Sequence, residues 1–133
     1  MQQPTHDHEK WEDTNFSRIF HVKERDCISA INDTLPPLLG TYVLVKWMEI
    51  VCAENIKRLL PETQITVGEK ITIEHTGMVR IREDVQICTT LKKQEKRKVK
   101  FTFAVTCQEK TIATGSHERV IILQKIINRM MQK

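Results

Sequence analysis

The run Thr41–Leu60, TYVLVKWMEIVCAENIKRLL, constrains this chain more than any other stretch. Between Tyr42 and Ala53 only Lys46 and Glu49 carry charge; Val43, Leu44, Val45, Trp47, Met48, Ile50, Val51 and Cys52 surround them. A helix that is apolar on nearly every side has to be buried. It is too short and too broken by charge to span a bilayer. Beyond Ala53 the pattern turns amphipathic, with Glu54, Asn55, Lys57 and Arg58 set among Ile56, Leu59 and Leu60, and Pro61 stops it. Glu49 is the residue out of place, a carboxylate in the most apolar turn of the protein. At such a position it is expected to be partnered, protonated or set against a solvent-lined site.

The chain has 133 residues, enough for one domain with a real core. Hydrophobic residues make up 40% and charged residues 29%, a globular balance rather than a disordered one. The net charge of +4 suits a phosphate-bearing ligand without requiring one. Cys27, Cys52, Cys88 and Cys107 lie far apart, with no CxxC and no histidine at metal-ligand spacing, so free thiols in a reducing cytoplasm are expected and no metal or other cofactor. The opening MQQPTHDHEKWEDT has no apolar core and does not read as a signal peptide. Residues 1–15 read as a flexible leader and residues 16–133 as a single domain. No membrane segment is expected.

Past Ile65 the hydrophobic period changes from 3.6 to 2. Val67, Ile71 and Ile73 read as one face of a strand, with Glu69 interrupting. Val85, Ile87, Thr89 and Leu91 form a second alternation, and Val99, Phe101, Phe103, Val105 and Cys107 the clearest one. A fourth run covers Thr111–Leu123, and Gln124–Met131 reads as a short terminal helix. The polar connections are short, as in antiparallel hairpins. Phe16–Cys27 has strand character too, and Pro36 and Pro37 make Asn32–Gly40 a loop. The order is strand, loop, long helix, then a four-stranded meander: an α+β layout. One sheet covers only one side of so apolar a helix, so either the sheet curls around it or a second subunit helps to cover it.

Four polar residues fall where the pattern predicts burial or a strand edge. Taken singly each has a bland reading: Thr41 as a helix N-cap, Glu49 as an i,i+3 partner of Lys46, His75 as a hydrogen-bonded core residue, Arg119 as a surface cross-strand ion pair. Together, a hydroxyl, a carboxylate and an imidazole are enough for acyl transfer, with a nucleophile or general base and a proton shuttle. GxSxG, P-loop, GxGxxG and HExxH motifs are absent. The basic tract Lys92–Lys100 straddles a hairpin turn and lacks exposed aromatics, so it reads as a solvated edge and not as a nucleic-acid surface.

The segments GTYVLVKWMEIVCAENI, VGEKITIEHTG and ATGSHERVII resemble the hot-dog fold thioesterases, and within them the fluoroacetyl-CoA thioesterase-like branch, over about residues 16–130. The resemblance implies a long central helix wrapped by a curved antiparallel sheet, a homodimer with active sites at the interface, and an acyl-CoA substrate. It implies catalytic roles for Thr41, Glu49 and His75, a glycine near the thioester carbonyl at Gly68, and a supporting arginine at Arg119. Leu35 stands in the lid where the fluoroacetate-specific enzyme carries a gating phenylalanine, and Tyr42 follows Thr41 in place of glycine. What carries over is the chemistry: thioester hydrolysis, against the alternatives of a hot-dog hydratase or dehydratase and a non-catalytic acyl-CoA-binding module.

Overall fold

The computed structural model describes residues 14–132. Five strands, β1 (Thr14–His21), β2 (Gln64–His75), β3 (Asp84–Glu95), β4 (Lys98–Cys107) and β5 (Lys110–Leu123), form one antiparallel sheet. Their order is β1-β3-β4-β5-β2, so β1 and β2 are its edges. The long helix α1 (Thr41–Lys57) packs against β1, β2 and β3, touching both edges of the sheet and one inner strand. The sheet therefore curls around the helix. A short amphipathic helix, α2 (Gln124–Met131), closes the chain. The expected leader falls almost wholly outside the described residues, but β1 already begins at Thr14, two residues before the anticipated boundary.

The strands follow from the period-2 pattern. Val99, Phe101, Phe103, Val105 and Cys107 on β4 are all buried, as are Val85, Ile87, Thr89 and Leu91 on β3. The β4–β5 turn holds Gln108 and Glu109 at positive φ, which gives a two-residue loop the twist a hairpin needs. On α1 the buried residues are Val43, Leu44, Trp47, Met48, Val51, Cys52, Asn55 and Ile56. They recur every four positions and so occupy one side of the helix. The other side, Tyr42, Val45, Lys46, Glu49, Ile50, Ala53 and Glu54, is half-buried or exposed. The sheet curls around α1 as one of the two expected covers, but it buries only one side of the helix. One sheet buries half of α1, and the remaining face keeps apolar residues near solvent.

The buried face sets the stability. Met48 is fully buried in the cluster that joins α1 to the sheet, and truncation to alanine there should cost about 2–5 kcal/mol. The polar pair within this core is satisfied. Asn55 Nδ2 donates to the Thr89 hydroxyl and to the Thr14 carbonyl, each at 3.1 Å, and the Thr89 hydroxyl donates to the Phe16 carbonyl at 2.8 Å. That network ties β1 to the helix at one edge.

β2 behaves differently from the inner strands. It pairs with β5 on one side only, and Gly68–Thr72 are exposed. The register slips between Gly68 and Lys70, leaving Glu69 as an extra residue. A bulge of this kind reverses which face later residues present. Thr66 lies opposite Ile121 and Gly68 opposite Arg119 before it; Ile71 lies opposite His117 and His75 opposite Ala113 after it. Directly opposed residues share a face. Thr66, Gly68, Ile71, Ile73 and His75 therefore face the helix, while Val67 faces away. Val67 does not share a face with Ile71 and Ile73 as the alternation implied; the Glu69 interruption was the bulge itself.

Candidate active site

Two groups of polar side chains lie along the exposed flank of α1, one at each end of β2. The first is at the helix start. Gly40 is the extended N-cap residue, and Thr41 is the first residue of the helix, beside backbone N–H groups that have no intrahelical acceptor. The Thr41 Oγ1 is 2.8 Å from His75 Nδ1, near the end of β2. Thr41 is thus a hydrogen-bond partner of a strand histidine and not a side-chain cap, since no side-chain cap bond forms there. The other ring nitrogen, His75 Nε2, is buried and has no hydrogen-bond partner among the described residues. Buried polar atoms are nearly always paired, so this one marks a place where a further group belongs.

The second group surrounds Glu49, about 12 Å further along the helix at 1.5 Å per residue. Its carboxylate Oε2 is 3.8 Å from Arg119 Nη1 and 3.9 Å from His117 Nε2. The side chain is 40% exposed. The expectation of near-complete burial is corrected: the apolar neighbours in sequence belong to the opposite face of the helix, and Glu49 points to the half-open one. Among the described residues its charge partner is Arg119, not Lys46. Gly68 is what lets the carboxylate approach the sheet. A Cβ there would collide with Glu49 Oε2 and press on the His117 ring.

Arg119 is only 7% exposed, which corrects the reading of a surface cross-strand pair. Every side of its guanidinium is engaged. Nε donates to the Thr66 hydroxyl at 2.8 Å, Nη2 to the Thr66 carbonyl at 3.0 Å, and Nη1 to His117 Nε2 at 3.1 Å. His117 Nδ1 is 2.9 Å from the Lys70 carbonyl. A carbonyl only accepts, so Nδ1 carries the proton and Nε2 offers its lone pair to Arg119. Burial and the neighbouring guanidinium push the His117 pKa down, consistent with a neutral ring. Burial lowers that of Arg119 as well, and the Glu49 carboxylate opposes the shift. Residue patterns missed His117. The signal was present: Ala113, Gly115, His117, Arg119 and Ile121 share one strand face, and the apolar residues at its two ends mark that face as the inner one.

Beneath Glu49, on the core side of α1, Cys52 is fully buried beside Met48, 3.7 Å from sulfur to sulfur. Burial raises its pKa to about 12. The loop bearing Leu35 is tied down further along: Leu38 pairs with Arg80 in an isolated bridge, and the Leu39 N–H donates to the Val79 carbonyl at 2.8 Å. Leu35 itself is 41% exposed and outside the core. Of the six residues singled out from sequence, the fold brings together Thr41 with His75, and Glu49 with Gly68 and Arg119. Leu35 joins neither group. Among the described residues no group of three His, Cys, Asp or Glu side chains is arranged to hold a metal ion.

A single helix wrapped by an antiparallel sheet, with polar groups along its open flank, defines a hot-dog protein. Residues 22–125 match the family model described as fluoroacetyl-CoA-specific thioesterase, FlK, and the chain belongs to that family. Among solved structures, it resembles a hot-dog-like protein from Thermanaerovibrio acidaminovorans with TM-score 0.84 and 19% identity, over 91% of this chain and 90% of that one. The fluoroacetyl-CoA thioesterase FlK aligns with TM-score 0.83 and 20% identity, over 91% and 94%. A thioesterase superfamily member from Thermus thermophilus gives 0.84 and 18%, over 91% and 90%. No curated relative matches the sequence.

Proposed function

We propose that this protein hydrolyses a short or small acyl-CoA thioester to the free acid and CoA, as a homodimer with its active sites at the interface. The observation that carries this reading is the Thr41–His75 pair, 2.8 Å apart, with the buried far nitrogen of His75 left without a partner. A positioned imidazole at a helix start, with the Glu49 carboxylate of a second protomer brought beside it, is an arrangement suited to acyl transfer.

In the proposed reaction Glu49 of one protomer activates a water that attacks the thioester carbonyl carbon, or attacks it directly to form an acyl-enzyme anhydride that water then hydrolyses to the free acid. Thr41 and the first-turn N–H groups of α1 in the other protomer hold the carbonyl oxygen as charge develops on it. The C–S bond breaks, His75 supplies or relays the proton, and CoA leaves as its thiol. Gly68 leaves room for the carbonyl beside Glu49, and Arg119 fixes the carboxylate. The segment Leu35–Leu39, stiffened by two prolines and directly preceding Thr41, forms the lid that tunes acyl selectivity.

The edge strand β2 supports the proposed dimer. It is an edge strand with Val67 and Ile71 partly exposed, and the uncovered flank of α1 lies beside it. Two β2 strands pairing antiparallel along the unbroken run Lys70–His75 would set His75 of one protomer level with Lys70 of the other. The Thr41–His75 pair of one chain would then lie beside the Gly68 bulge and Glu49 of its partner. Four unpaired cysteines suit a reducing cytoplasm.

The test is thiol release from a panel of short acyl-CoAs, run alongside sedimentation of the same sample. Thiol released stoichiometrically with acid, by a dimer, is expected. Hydration of an enoyl-CoA without thiol release would replace hydrolase with hydratase. A stable monomer that retained full activity would remove the shared site.

A further inference from the structure

A groove begins one helical turn past Glu49 and lies at the C-terminal end of α1. Ala53, Ile56 and Lys57 line it, at four, seven and eight residues past Glu49, the spacing that keeps side chains on one helical face, together with Leu60 just beyond the helix. The start of β2 forms the facing wall through Gln64, Ile65 and Thr66. Thr66 is the hinge between groove and site, because its hydroxyl and carbonyl both accept from Arg119, which in turn faces Glu49. The wall is mainly apolar, and Lys57 is exposed to solvent. Ala53, one turn past Glu49, presents only a methyl group to the groove. The cavity measures about 190 Å³. At about 30 Å³ for each water-sized group, that is room for roughly six such groups.

We propose that this groove receives the acyl chain of the thioester, and that the protein prefers an unbranched saturated chain of about six carbons to acetyl. The inference rests on the thioesterase reading, since the carbonyl must sit beside Glu49 for its chain to enter. A two-carbon acyl group would leave the groove unfilled, and each methylene placed in it gains the free energy of leaving water.

The test separates binding from turnover. Non-hydrolysable S-alkyl thioethers of CoA, from ethyl to decyl, are titrated calorimetrically into the dimer. Affinity should rise about fourfold per methylene up to about hexyl and then level off. Ala53→Phe should flatten that rise and lower the hexanoyl-to-acetyl ratio of kcat/KM by about tenfold or more. Leu60→Ala should move the plateau to longer chains, so the groove is still probed if the first variant folds poorly. A rise with chain length but no thiol release from any acyl-CoA would overturn the hydrolase reading and keep the groove. Thiol release with affinities independent of chain length, unchanged in both variants, would overturn the groove and keep the hydrolase.

Discussion

The two polar groups along α1 are built in opposite ways. Around Glu49 the supporting residues are locked: Arg119 makes three hydrogen bonds and His117 uses both ring nitrogens. At the helix start Thr41 is exposed, His75 is half-buried, and one imidazole nitrogen has no partner. One group is hydrogen-bonded throughout within the chain; the other keeps a buried imidazole nitrogen with no partner among the described residues. In the proposed function the Glu49 end is therefore a fixed electrostatic setting, and the Thr41–His75 end is the one that substrate would complete.

The sharpest way to break this comparison is to neutralise the fixed end. Glu49→Gln keeps size and hydrogen bonding but removes the charge, and kcat should fall by about two to four orders of magnitude. Far-ultraviolet dichroism and sedimentation should be unchanged. His75→Ala should be comparably damaging. If both act on one proton, the double variant should be little worse than either single one. Normal thiol release by Glu49→Gln would make the carboxylate structural and end the proposed mechanism.

Arg119→Lys tests the locking. A lysine keeps the charge but cannot fork to Thr66 and His117 together. Activity should drop roughly ten- to hundredfold through misplacement of Glu49. Lost hydrogen bonds to a buried charged group should cost about 2–3 kcal/mol, read as a lower Tm by differential scanning calorimetry. Full activity at normal stability would show that the fork is unnecessary.

A smaller effect is expected from pH. The His117 pKa is lowered in the folded protein, so below the unfolded value of about 6.5 the unfolded chain binds more protons. Stability from this residue is intact above that value and declines as the pH falls through it. His117→Asn should flatten the fall in Tm between about pH 7 and pH 5; an unaltered slope would assign the acid sensitivity elsewhere. The smallest change is expected from Leu35→Phe, because Leu35 touches neither polar group. It should alter the relative kcat/KM among short acyl-CoAs while leaving the fold intact, and an unchanged profile would remove the lid from selectivity.

Much of this was legible in the residues because local and global preferences agree. β3 and β4 alternate cleanly since one face is buried along their whole length. The helix was visible from its apolar density, yet density does not say which half is covered; that depends on where the two sheet edges end. Glu49 was correctly singled out as anomalous, but its exposure was misjudged because Val45, Ile50 and Ala53 flank it without enclosing it. The parity of β2 was misread at Glu69, where one extra residue turns the strand over. Arg119 looked like a surface ion because a strand residue two positions from a histidine carries no mark of depth; only the inward face of β5 supplies one.

Cys52 follows Glu49 by three residues and is buried on the core side of the helix. Burial pushes its pKa up to about 12, so the thiol stays protonated at neutral pH. A thiolate close to an acyl-CoA would compete with water and capture the acyl group by transthioesterification, leaving the protein acylated and stalled. Met48 and the surrounding core keep this sulfur protonated and out of reach. The same packing that stabilises the helix thus protects the chain from its own proposed substrate.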